Sequence, residues 1–217
     1  LLPNLFPEGG QEPMYNTADA SLLFINAIYQ YYTKTKDRAF VMEAWPVMQS
    51  IISWYQKGTD YNIHMDKDGL IIAGEGLWQV TWMDVRFGEI LPTPRHGKPV
   101  EINAYWYNAL KIMAYFSEKL MGRHDTPLSV LAERVRRSFN AKFWNPADDQ
   151  VRCNQIWALS MPFTMLGPVK ARRVLDVVQR ELYTPLGLRS LTPQDQDFHP
   201  VYGGSHFERD MAYHQGT

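Results

Sequence analysis

Apolar residues recur every three or four positions in six segments of this chain, and the links between those segments alternate between short and long. A 3.6-residue period makes each segment an amphipathic helix. A link of only a few residues folds two such helices back on each other as an antiparallel hairpin. The expected helices run from about Thr17 to Thr33, Asp37 to Gln56, Pro99 to Met121, Thr126 to Phe143, Asn154 to Leu166 and Pro168 through Leu182. Thr126 is read as an N-cap, with Pro127 in the first turn, and Pro46 is expected to kink or restart the second helix. Three hairpins result, separated by long segments at about 57–98, 144–153 and 183–213. In such an array the long links emerge on one side, together with the N-termini of the first, third and fifth helices. Strand signals are weak, although Gly69–Ala73 after Asp66-Lys67-Asp68 reads as a short hairpin arm.

Composition removes several classes of partner. With 22 basic and 23 acidic residues among 217, the net charge is −1, so no long-range field draws nucleic acid or an anionic membrane. No apolar run approaches the roughly 20 residues that span a bilayer, and Leu1–Pro7 lacks the basic start and apolar core of a signal peptide. Cys153 is the single cysteine, which excludes an intrachain disulfide and mildly favours a reducing compartment. Seven tryptophans and twelve tyrosines either fill a helical core or stack on sugar rings.

The loop side of the hairpins gathers polar residues: Asp19, Thr81-Trp82-Met83-Asp84, Glu101, Asn154, Gln155 and Arg209-Asp210. A carboxyl held against the Trp82 indole is expected to be partly desolvated. That raises its pKa and suits Asp84 to general-acid work near neutral pH. Each residue also has a plainer reading. Asp19 can cap a helix, Glu101 suits a helix dipole, and Arg209-Asp210 can be a surface ion pair. Trp78 and Trp82 can fill a core gap, and Asp84 can cap a loop. Asp66-Lys67-Asp68-Gly69 is read as a turn, because a calcium loop needs a glutamate where Leu77 stands. Gly97-Lys98-Pro99 lacks P-loop spacing, and the histidines form no zinc motif, so no metal and no cofactor are expected.

Several stretches together resemble the glucosidase domain of glycogen debranching enzymes of the amylo-α-1,6-glucosidase type. They are Tyr15–Leu22, Thr81–Asp84, Thr93–Asn108, Asn154–Ser160, Thr184–Arg189 and Arg209–Thr217, in the family's order. The resemblance implies an all-α fold, an (α/α)6 toroid of which three helical hairpins and their rim loops make about half. Residues 1–217 are then one partial domain. It implies an inverting glycoside hydrolase that removes α-1,6-linked glucose from glycogen limit dextrin in the cytoplasm. Glycogen or a branched α-glucan is its partner, with self-association through exposed fragment surface as a further expectation. In that family the aspartate of the Thr-Trp-Met-Asp motif is the general acid, which falls on Asp84. The Asn-Thr-x-Asp aspartate falls on Asp19. Trp82, Glu101, Asn154, Gln155, Arg209, Asp210 and His214 fall on other sugar-contacting motifs. The general base is expected beyond residue 217, so this stretch alone is expected to be inactive. The segment 144–152 is shorter than in relatives, and the family's Arg-Pro-Asn-Gln reads Arg152-Cys153-Asn154-Gln155 here. Other helical-toroid glycosidases, such as glucoamylase, trehalase or a mannosidase-like hydrolase, and a non-catalytic glycan-binding fragment are the competing readings.

Overall fold

The structure, a computed structural model, describes residues 1–144 and 150–216. Most of the short segment 144–152 therefore lies outside the described residues. Helix α1 (Ala20–Thr35) and α2 (Arg38–Lys57) form the first hairpin, and α3 (Val100–Met121) and α4 (Thr126–Lys142) the second. The expected pairs are present, with corrected ends. Asp125, not Thr126, caps α4: its carboxylate accepts the Leu128 N–H at 3.0 Å. Pro46 neither stops nor restarts α2, which runs through it. Pro46 sits on the exposed side of the helix, where solvent can take the Met42 carbonyl that proline leaves without a donor.

The third hairpin departs most from expectation. In place of a helix over 154–166 there is a 3-10 turn, Cys153–Ile156, and a single α-turn, α5 (Trp157–Ser160). Met161 is extended, with φ −70° and ψ 153°. The following Pro162 disfavours helical backbone at Met161, which ends α5 there. Helix α6 (Pro168–Glu181) begins where expected, with proline in its first turn. A short helix not anticipated from periodicity, α7 (His206–Ala212), is set by a capping box between Ser205 and Glu208. The hairpin arm exists: β1 (His64–Met65) pairs antiparallel with β2 (Ile71–Ile72). A second ribbon pairs β3 (Tyr183–Thr184) with β4 (Gly187–Leu188). No helix among the described residues is long and apolar enough to cross a membrane.

Helix α3 is the axis of the core, packed on α1, α4 and α5. Trp106 is fully buried, stacks on Tyr55 at 5.9 Å and donates its indole N–H to the Gly69 carbonyl at 3.0 Å. Truncating a side chain of that size typically costs about 3–5 kcal/mol. Tyr55 in turn donates to the Ala18 carbonyl at 2.8 Å, just before α1. These core aromatics therefore fix the two loops that flank the rim. The Asp66–Gly69 turn closes by a Gly69 N–H to Asp66 carbonyl bond of 2.8 Å, with Gly69 at φ +88°, a conformation glycine adopts cheaply. Both carboxylates face Lys98, at 2.6 and 2.7 Å. Burial raises the Asp68 carboxyl, but hydrogen bonds from Lys142 and Lys98 outweigh it and hold it down to about 2.

Candidate active site

Burial alternates along Thr81, Trp82, Met83 and Asp84, as it does in a locally extended chain. Thr81 and Met83 point inward and Trp82 and Asp84 point outward. Met83 is the anchor, with 0% exposure. Its sulfur is approached by the Arg95 guanidinium at 3.2 Å and by Asn154 Nδ2 at 3.4 Å. The Trp82 indole N–H donates to Asn154 Oδ1 at 2.7 Å. The amide of Asn154 thus grips two consecutive residues of the loop from the 3-10 turn ahead of α5.

Trp82 does not shield Asp84 from water. Its ring is drawn toward Asn154 and packs edge-on against His214, with centroids 5.2 Å apart. The Asp84 side chain is left 61% exposed. His214 is the buried neighbour of Asp84: its Nε2 lies 3.8 Å from Asp84 Oδ1, too far for a direct hydrogen bond. That nitrogen has no hydrogen-bond partner among the described residues. Arg152 positions His214 by donating to its carbonyl at 3.2 Å and to Gln215 Oε1 at 2.9 Å. Gln215 Nε2 reaches back to the Pro92 carbonyl at 3.0 Å. Glycine is required at Gly216, because a Cβ there would meet Phe198 at 2.6 Å and the His199 carbonyl at 2.7 Å.

The N-terminal ends of α1 and α3 supply two more carboxylates. Asp19 occupies the N-cap position of α1 but makes no capping hydrogen bond, so the simple cap reading does not hold. Burial, and next the Asp19 charge, push the Tyr55 hydroxyl up. Glu101 is fully buried under Arg95, which donates to Glu101 Oε2. Its other oxygen has no partner among the described residues. Desolvation raises the Glu101 pKa despite the Arg95 charge, and the nearby Asp19 carboxylate adds to the rise. A carboxyl that holds its proton more tightly when folded stabilises the fold below the ordinary glutamate range and loses that contribution as pH rises through its folded value. The thermal midpoint of the protein minus that of Glu101→Gln should therefore decline as pH rises above the ordinary glutamate range, about 4.3. A difference that stays constant as pH rises would contradict the assignment.

Gln155, beside Asn154, donates to the Arg152 carbonyl at 3.0 Å. Arg209 and Asp210 lie on α7, where Asp210 faces His206 one turn back at 3.7 Å. Among the described residues, Trp82, Asp84, Asn154 and His214 form one contact group. Glu101 lies behind it under Arg95, Asp19 sits at the N-cap of α1, and Arg209 and Asp210 lie on α7. Arg95 and Arg152 were not anticipated from the sequence. The usable signal for Arg95 was an arginine in the loop that leads into a helix whose first turn carries a buried glutamate. Burial, and next the Glu101 charge, push the Cys153 thiol up to about 11, so it stays protonated and unreactive at neutral pH.

Two concavities flank this group. A cleft of about 760 Å³ is lined by Arg95, Lys98, Arg152, Asn154 and Gln155, with Phe143 and Gln150 also among its lining residues. A smaller cavity of about 220 Å³ contains Asp84. The larger one does not reach the exposed carboxylate, so the chemistry favours the smaller.

A sequence profile described as amylo-α-1,6-glucosidase matches residues 1–217. The glycogen debranching enzyme of Saccharomyces cerevisiae is 23% identical over 322 residues, covering 100% of this chain and 21% of that enzyme. The chain thus spans about a fifth of that relative's length. Among solved structures, a GH78-family rhamnosidase of Bacillus sp. GL1 superposes with a TM-score of 0.60 at 14% identity, over 80% of this chain and 18% of that one. That likeness concerns the fold alone: the chain shares the helical-toroid architecture of that glycosidase.

Proposed function

The chain belongs to the amylo-α-1,6-glucosidase family, and from that membership we propose that it is part of the catalytic domain of a glycogen-debranching glucosidase. The reaction is removal of α-1,6-linked glucose from trimmed branches of glycogen, with inversion at the anomeric carbon, in the cytoplasm where glycogen is handled. Asp84 is the general acid. It gives its proton to the bridging oxygen as the C1–O bond breaks, and the chain departs as an alcohol. Water adds to C1 from the opposite face and yields its proton to a second carboxylate outside residues 1–217. Inverting enzymes place the two carboxyls roughly 6.5–9.5 Å apart, with the water between them.

What supports this reading is the placement of Asp84, an exposed carboxylate on a loop whose preceding residues Trp82 and Met83 are held by Asn154 and Arg95. The other residues divide by what they touch. By the family resemblance we assign the sugar hydroxyls to Asp19, Gln155, Arg209, Asp210 and His214, and the Trp82 ring, 41% exposed, offers an aromatic face. Asn154 and Glu101 are also expected sugar contacts, and both position the acid loop: the Asn154 amide holds Trp82 and Met83, and Glu101 Oε2 accepts from Arg95. The test compares limit dextrin, trehalose and linear maltooligosaccharides as substrates of the complete protein. Limit dextrin should be the best substrate, with β-glucose as the first product by proton NMR. Preference for trehalose or a linear chain, or saturable glycogen binding without glucose release, would replace this reading with another.

A further inference from the structure

His214 Nε2 is closed to solvent and has no hydrogen-bond partner among the described residues, and Asp84 Oδ1 lies 3.8 Å from it. A buried polar nitrogen without a partner is costly, and native interiors leave few of them. Hydrogen bonds between catalytic groups are often long before substrate binds and tighten in the complex. We propose that His214 is the positioning residue of the acid: its Nε2–H donates to Asp84 Oδ1 and so aims the protonated Asp84 Oδ2 at the bridging oxygen. The inference rests on Asp84 being the acid. It adds to the sugar contact that the family resemblance implies for His214.

The two side chains differ in freedom. Asp84 is largely exposed, so its torsions are free to turn and water competes for its oxygens. His214 is buried and held on several sides. Arg152 donates to its carbonyl at 3.2 Å and to Gln215 Oε1 at 2.9 Å, and Gln215 Nε2 donates to the Pro92 carbonyl at 3.0 Å. Trp82 meets the imidazole edge-on with centroids 5.2 Å apart, and the Tyr213 ring packs on it at 4.4 Å. Trp82 is itself tied to Asn154 at 2.7 Å. A turn of the Asp84 side chain alone has roughly 1 Å to close before the pair is within hydrogen-bond reach. A fixed donor facing a mobile acid then sets the direction of its proton.

The bond also strengthens as the reaction proceeds. Before it, the Nε2–H donates to the C=O oxygen of a neutral carboxyl. As Asp84 Oδ2 gives its proton to the bridging oxygen, the electron pair of the C1–O bond moves to that oxygen and Asp84 becomes a carboxylate. The same N–H then serves an anion, and hydrogen bonds to ions are roughly twice as strong as neutral ones. An interaction that grows toward the transition state raises kcat rather than only tightening binding. The role calls for a proton on Nε2, the nitrogen that faces the acid.

α-Glucosyl fluoride separates this role from contact with the sugar. Its C1–F bond breaks with fluoride leaving unprotonated, so its hydrolysis uses the contacts to glucose but not the acid. In the complete protein, His214→Phe keeps a ring against Trp82 and Tyr213 but has no N–H to offer. It should lower kcat for glucose release from a 6-α-glucosyl maltooligosaccharide roughly tenfold to a hundredfold more than it lowers turnover of α-glucosyl fluoride. His214→Gln, which carries an amide N–H at a similar reach, should recover part of that selective loss. Equal losses on the two substrates, as from a sugar contact or a disturbed loop, would overturn the proposal, and so would undiminished release from the branched one. Asp84→Asn run alongside reports on the acid separately: if it keeps activity on the branched substrate, the acid assignment is what fails.

Discussion

Asp84→Asn is expected to lower glucose release from branched α-glucan by roughly 10²–10⁴-fold, the usual contribution of a general acid. The amide keeps the shape of the side chain but has no acidic proton to give to the bridging oxygen. Binding should change little, because the Asp84 side chain is 61% exposed and His214, its neighbour among the described residues, lies 3.8 Å away, beyond hydrogen-bond reach. The measured pattern is a fall in kcat at nearly constant KM, the mark of an interaction made in the transition state. Hydrolysis of α-glucosyl fluoride should survive, since fluoride departs without a proton. Near-normal glucose release from limit dextrin would remove Asp84 from the acid role. Loss on both substrates would instead point to the carboxylate being needed for the fold of the loop.

The hairpins could be read from the sequence because a 3.6-residue apolar period is a local signal that needs no knowledge of neighbours. The fifth helix failed where a second local signal competed with the first. Met161-Pro162 ends the helix at Ser160 although apolar residues continue to Leu166. Helix α7 is too short for periodicity to register, yet its Ser205-x-x-Glu208 capping box was visible. The site was legible as a set of residues on one rim, and illegible as a set of contacts. Whether the Trp82 indole covers Asp84 depends on an acceptor 72 residues away, Asn154. The seating of His214 depends on Gln215 meeting a carbonyl 123 residues away, that of Pro92. Such pairings are fixed by tertiary packing, which no spacing rule reports.

Arg95→Ala should loosen the acid loop more than any substitution on its exposed face. Arg95 and Glu101 have side chains only 13% and 1% exposed, so removing the guanidinium strands a buried carboxylate that already has one unpaired oxygen. Breaking a buried pair from one side typically costs about 3–5 kcal/mol. At about 1.4 kcal/mol per decade, hydrogen exchange in peptides spanning 81–106 should accelerate by roughly two to almost four decades. Met83 also loses one of the two groups that approach its sulfur, so the carboxylate of Asp84 is less well placed and kcat should fall with it. Arg95→Lys restores a charge for Glu101 but not the planar fork that reaches Met83 as well, so it should recover protection better than it recovers kcat. Replacing both members, Arg95→Met with Glu101→Leu, leaves no buried charge and should return most of the protection. A double variant as loose as Arg95→Ala would mean that the loop is held by Asn154 and the Met83 packing alone, and that the ion pair is incidental to the acid.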